Sequence, residues 1–349
     1  MLFTPLISKP DSVAQIMLKV LLALLPGIAL YVWYFGPAIL VSITLASFTA
    51  LGTEALMLRL RKRPVAPFLK DNSALLTGWL LALSIPPLAP WWLVVVGTAF
   101  SIAIAKHLYG GLGSNIFNPA MVGYAVLIIS FPTQMTHWLA PQGLVQEGLV
   151  LAELNFAQQL QYIFLGVMPH GLTLDAVTMA TPLDTLKTHL HLEESVQQIL
   201  NMPIYGRLAG HGSEMVAWGF LLGGLYLLAS RIISWHIPLA YLGTLFVIAG
   251  IFHLFDPGHY AAPLFHWFSG AAILGAFFIL TDPVSSPTTS KGRLIYAAGA
   301  ALLTYLIRVF GGFPDGVAFA TLLMNISVPL IVLYTQPKVF GKKNKAVKP

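Results

Sequence analysis

The chain has 349 residues, 57% hydrophobic and 9% charged, against about 25% charged in ordinary soluble domains. That composition excludes a soluble globular protein, and the net charge of +6 does not mark a nucleic-acid binder, because the bases fall between apolar runs rather than on one face of a soluble domain. Cysteine is absent, which excludes disulfides, Cys-ligated iron–sulfur clusters and thiolate catalysis; redox work would need an organic cofactor, haem or another metal.

Crossing a bilayer core takes about 17–25 apolar residues per helix. In chain order, such runs are predicted at 16–35, 37–58, 74–85, 91–105 and 119–131, then at 214–230, 237–252, 267–281, 294–310 and 316–335. The expected fold is therefore all-α, a polytopic membrane protein of about ten transmembrane helices. Residues 1–131 form the first membrane half and 214–349 the second, which ends in a basic tail; 132–213 form an insertion with no spanning run. The opening MLFTPLISKPDS lacks the basic start of a cleavable signal segment, so none is expected. Some runs are short, notably the one ending at Pro86 and Pro87. Interrupted helices are tolerated where the freed backbone faces protein or a cavity, so these runs are predicted to be broken helices around a site.

Charge placement gives the orientation. With the N-terminus inside, the inner loops and tail take Arg59, Arg61, Lys62, Arg63, Lys70, Lys106, Arg231, Lys291, Arg293, Lys338, Lys342, Lys343, Lys345 and Lys348, fourteen of nineteen bases. The positive-inside rule then places both termini in the cytoplasm and 132–213 on the opposite side. Counting to Glu214, this outer segment holds seven of the thirteen acids (Glu147, Glu153, Asp175, Asp184, Glu193, Glu194, Glu214) and only two bases, Lys187 and Arg207.

An internal repeat flanks the insertion. Ser73-Ala74-Leu75-Leu76-Thr77-Gly78, running on to Pro86, parallels Gly270-Ala271-Ala272-Ile273-Leu274-Gly275, running on to Pro283. Tyr109-Gly110-Gly111 and Phe310-Gly311-Gly312 give a second correspondence. Five helices separate the copies, so the halves are expected to be inverted, an arrangement that puts a site near the midplane between broken helices.

Several residues are candidates on chemistry alone. In Asp175-Ala176-Val177-Thr178-Met179-Ala180-Thr181, followed by Pro182-Leu183-Asp184, Thr181 is predicted to cap a helix with Pro182 in its first position. A phosphate on Thr181 would sit where helix N–H groups favour anions. The loop from Gly110 to Pro119 lacks the Gly-Lys-Ser/Thr ending of a phosphate-binding loop; Asn118 reads as a helix cap, and Asn115 and Asn118 as polar groups open to a ligand. Ionisable residues within membrane runs are functional candidates. Asp282 at the Thr-Asp-Pro break is read as an ion-coupling or cofactor contact, Glu54 as reaching toward Arg59 or Arg61, and Arg308 as pairing with Asp315. His170, His189, His191 and His211 lack zinc-ligand spacing, and no metal site is predicted.

These features together resemble the NqrB/RnfD family of ion-pumping electron-transport subunits. The resemblance rests on the basic loop at 59–63, GGLGSNIFNPAM at 110–121, D-x-x-T-x-A-T at 175–181, TDPVSSPT at 281–288 and GGFPDGVAFATLLMN at 311–325. It implies FMN attached by a phosphoester to Thr181, with Asp175, Thr178 and Ala180 completing the motif read by a flavin transferase. It also implies a non-covalent riboflavin among the helices, for which Asn115, Asn118 and Asp282 are the candidate contacts. The implied partners are Rnf subunits A, B, C, E and G, above all the periplasmic flavoprotein RnfG, together with membrane lipid. The implied setting is the bacterial inner membrane, with 132–213 periplasmic, and the implied activity is redox-driven translocation of sodium ions or protons.

Two other classes fit the architecture. A secondary transporter or channel for a small solute shares ten helices, an inverted repeat and broken helices. A structural subunit that only anchors redox partners is the other. Neither requires the motif ending at Thr181.

Overall fold

The computed structural model describes residues 12–146, 149–150 and 153–337; Lys9, Glu147 and the basic tail at Lys338, Lys342, Lys343, Lys345 and Lys348 lie outside them. Ser12 and Gln15 form a reciprocal capping pair that opens α1 (Val13–Phe35). Gly36-Pro37 turns the chain into α2 (Ala38–Leu60), and a short α3 (Val65–Leu69) leads to α4 (Ser73–Ala82), which stops ahead of Pro86 and Pro87. α5 (Trp91–Phe100) continues as a π-helix over Ser101–Leu108, and α6 (Pro119–Ser130) starts with Asn118 as its cap.

The insertion is built from short pieces. α7 (Pro132–Thr136) and β1 (Trp138–Leu139) precede a hairpin of β2 (Val145–Gln146) and β3 (Leu149–Val150), then α8 (Phe156–Leu165). A 3-10 turn (Leu174–Ala176) leads to β4 (Thr178–Met179), which pairs antiparallel with β1, and then to α9 (Pro182–His191) and α10 (Val196–Ile199).

The second half follows the insertion. α11 (Ser213–Ala229) and α12 (His236–Phe255) are followed by α13 (Pro263–Phe268) and then by α14 (Ala272–Leu274), which continues as a π-helix over Gly275–Ile279. α15 (Ser290–Phe310) and α16 (Val317–Thr335) complete it. Among the described residues, six helices have the length and apolarity to span a membrane: α1, α2, α5 with its π extension, α12, α15 and α16. α4, α6 and α11 are shorter apolar helices. The protein is thus an all-α polytopic membrane protein.

The expected helix at 267–281 is divided. Ser269 is extended and Gly270 takes a left-handed φ of +60°, where a Cβ would strike the Asp315 carboxylate and Leu183. Arg308 satisfies the interrupted backbone by donating to the carbonyls of His266 (2.7 Å) and Ser269 (3.1 Å), while Asp315 accepts from the Ala271 N–H (2.7 Å). Arg308 and Asp315 are themselves paired at 3.0 Å, as expected. Broken backbone shielded from water is stable only when such partners take its place.

Small residues let the two halves meet. Gly219 of α11 packs on Gly27 of α1, and Gly223 on the Ala23 carbonyl, leaving no room for a Cβ. Close approach of small residues is what holds helices together where lipid removes the hydrophobic drive. The two Gly-Gly pairs both end a helix, but their conformations differ: Gly110 and Gly111 have φ of +130° and +97°, whereas Gly311 has −82°. One apolar core runs through both halves and takes in Leu183 and Leu186 of α9, so the insertion is packed into the same body.

Candidate functional site

The Asp175–Thr181 segment is fixed by its own polar groups. Thr178 is 8% exposed, and its hydroxyl donates to the Leu174 carbonyl (3.0 Å), bracing the 3-10 turn. β4 then pairs with β1, and the Val177 carbonyl accepts from the Ala140 N–H (3.2 Å). Asp175 and Ala180 stay exposed. Thr181 is the N-cap of α9: its side-chain oxygen accepts from the Asp184 N–H (3.2 Å), and its hydroxyl is half-buried with no acceptor of its own among the described residues.

α9 is docked from several sides. Tyr205 donates to the Pro182 carbonyl, Pro182 packs on Gly210, and Lys187 donates to the carbonyls of Gly311 and Phe313. The loop carrying Tyr205 is held by Glu214 at the start of α11, whose carboxylate accepts from the N–H groups of Arg207, Leu208 and Ala209. Burial pushes the Asp184 carboxyl above its usual range, with Lys187 pulling the other way, and burial lowers the Lys187 ammonium.

A second feature lies between the halves. A cavity of about 120 Å³ is lined by α1, α4, the 112–120 loop, α11 and the segment 277–284. Asn115 and Asn118 line it together with Asp282, which is more than 160 residues away in sequence. The Asp282 carboxylate accepts from the Ser285 hydroxyl (2.6 Å) and the Val284 N–H (3.3 Å). Asn118 caps α6, donates from Nδ2 to the Ile279 carbonyl (3.1 Å), and its N–H reaches Oδ1 of Asn325 (3.0 Å). The Thr181 motif is not part of this lining.

Three residues differ from the sequence expectation or escape it. Glu54 does not reach for Arg59 or Arg61; it is buried and pairs with Lys106 and His107, each at 2.9 Å. Lys106 is not an inner-loop base but a cavity-wall residue, 2% exposed, at the end of the π-helix. Its signal was present, since it is the first charged residue after Asp71 and directly follows the apolar run at 91–105. Asn325, fully buried, ties the Ser285 carbonyl and the Tyr296 hydroxyl to Asn118, each of the first two at 2.9 Å.

Fold and site define a class: an all-α membrane protein whose halves meet around a largely apolar cavity edged by a few polar side chains, with a folded insertion presenting a threonine at a helix start. Within that class, the chain belongs to the NQR2, RnfD, RnfE family, which it matches over residues 1–341. It is 55% identical over 338 residues to the D subunit of the ion-translocating oxidoreductase complex of Escherichia fergusonii. The proteins of that name from Shigella dysenteriae and Klebsiella pneumoniae are 56% and 54% identical. Each alignment covers 95% of this chain and 95% of the relative.

Proposed function

We propose that this chain is the flavin-carrying membrane subunit of an Rnf-type complex, a redox-driven translocase that couples electron transfer to movement of sodium ions or protons. The observation that carries the reading is the state of Thr181. Its oxygen is half-buried and already oriented by the Asp184 N–H, and its proton is not engaged. Replacing that proton with the phosphate of FMN disturbs no hydrogen bond, and the phosphate sits at a helix start that favours anions. Thr178 keeps the segment in shape, and exposed Asp175 is available to the flavin transferase.

FMN supplies reversible electron acceptance, which this chain's own side chains lack. The protein's part is to hold it: α9 is anchored by Tyr205, Lys187 and the Glu214-bound loop, so a group tethered at Thr181 has a fixed origin. The cavity between the halves suits a non-covalent riboflavin, with Lys106, Asn115 and Asp282 supplying donors and acceptors and Phe277, Leu76 and Leu80 an apolar surround. The charge asymmetry supports a periplasmic insertion and cytoplasmic termini in an inner-membrane protein. A flavin held on Thr181 would supply the electron-transfer chemistry between RnfG outside and the helical body, with subunits A, B, C and E as the remaining partners.

The test is direct. After co-expression with its flavin transferase, the protein is denatured in acid and run on a gel under ultraviolet light, and the peptide containing Thr181 is examined by mass spectrometry. Fluorescence that travels with the wild-type chain and vanishes in Thr181→Val supports the reading. A non-fluorescent wild type, or a fluorescent Thr181→Val, sinks it.

A further inference from the structure

Lys106 is buried within an apolar helix, and its ammonium has three protons to place. Two are used, one on Oε2 of Glu54 at 2.9 Å and one on Oγ of Ser73 at 2.8 Å. No third acceptor lies within bonding distance among the described residues, and Lys106 lines the cavity between the halves. A buried ammonium with an unused N–H is costly unless something in the cavity receives it.

Asp71 stands behind Ser73 and accepts from its hydroxyl, while Glu54 faces Lys106 directly. Glu54 is shared, since the same oxygen that meets Lys106 also lies 2.9 Å from Nε2 of His107. Behind His107, Nη1 of Arg61 stands 3.3 Å from its Nδ1 and donates to the Gly110 carbonyl at 2.9 Å. One carboxylate therefore serves both Lys106 and His107. The π-helix over Ser101–Leu108 makes the arrangement feasible. Its wider turn separates consecutive side chains by less rotation than an α-helix does, so Lys106 and His107 both reach Glu54; such turns recur at functional sites. The opposite wall, from the other half, carries Asp282, whose carboxylate accepts from the Ser285 hydroxyl and the Val284 N–H.

We infer that Lys106 is a positioning and potential-setting residue for the redox ring in this cavity, its third N–H donating to a ring-edge oxygen or nitrogen that becomes more negative on reduction. The inference rests on the cavity reading given under Proposed function. Glu54 moderates the effect by partly neutralising the ammonium, and Ser73 fixes its direction.

The experiment uses the whole purified complex. Acid precipitation separates covalent flavin, which stays with protein, from free flavin in the supernatant, and a redox titration follows the non-covalent flavin. Lys106→Met is expected to weaken retention of that flavin about tenfold or more and to lower its midpoint potential, leaving the flavin on Thr181 unchanged. Lys106→Arg is expected to restore part of the retention. Glu54→Gln, which leaves the ammonium less neutralised, is expected to raise the midpoint. Wild-type retention and midpoint in Lys106→Met overturn the inference. If Lys106→Met does not assemble, an unchanged midpoint in Glu54→Gln overturns it instead. A wild-type complex with no acid-extractable flavin overturns the cavity reading itself, a result separate from either variant outcome.

Discussion

The Tyr205 hydroxyl donates a 2.9 Å hydrogen bond to the carbonyl of Pro182, the residue that follows Thr181. A segment close to α11 thereby sets the position of the threonine that carries the proposed cofactor. Burial raises the Tyr205 phenol above its usual range, so it remains a donor well into alkaline conditions. Tyr205→Phe is expected to cost about 0.5–1.5 kcal/mol and to speed hydrogen exchange across 182–191 with the rest of the protein unchanged. Unaltered exchange in α9 would show that the bond does not anchor it.

Glu214 acts one step further back. Its carboxylate receives three backbone N–H groups from the loop that presents Tyr205. Leaving them unpaired costs about 1–3 kcal/mol for each fully buried donor. Glu214→Ala is therefore expected to lower the thermal unfolding midpoint in detergent and to reduce flavin loading at Thr181, with Glu214→Gln retaining part of both. Wild-type melting and loading in Glu214→Ala would refute the link from α11 to α9.

A pH dependence follows from Asp184 and Lys187. The folded state holds the Asp184 proton more tightly than the unfolded chain does, so docking of α9 is firmest in acid. It weakens as pH rises from the ordinary Asp range, about 3.9, through the raised folded value. Lys187 is lowered, so its contribution improves as pH rises from its folded value toward about 10.4. Hydrogen exchange of 182–191, corrected for intrinsic rates, should show the acid-side slope in the wild type and lose it in Asp184→Asn. A flat wild-type profile would remove the effect.

Gly223 tests the contact between the halves. A side chain there meets the Ala23 carbonyl, and overpacking of this kind costs about 1–3 kcal/mol, occasionally more. Gly223→Val is expected to reduce the yield of folded protein in membranes, whereas Gly243→Ala, where a Cβ meets nothing within 4 Å, should leave it unchanged. Equal yields for the two variants would argue against close packing of α1 on α11.

What the sequence determined by itself was local or statistical: the apolar runs, the clustering of bases and acids, the Pro and Gly interruptions, and the capping of α6 by Asn118 and of α9 by Thr181. Each depends on residues within one or two turns of each other, where spacing alone fixes the geometry. The Arg308–Asp315 pair, seven residues apart, was legible for the same reason. The tertiary structure alone decided which charges are buried and with whom. Glu54 meets Lys106 across 52 residues, and Asn118 meets Asn325 across 207. Lys106 looked like a loop base because a positive charge near a helix end ordinarily reaches water. Only the packing of α2, α4 and the π-helix around it removed that water and turned it toward the cavity. The break at 269–271 was hidden in the same way: a helix there was the natural reading until Arg308 and Asp315, brought from α15 and the turn beyond it, supplied the partners that let the backbone open.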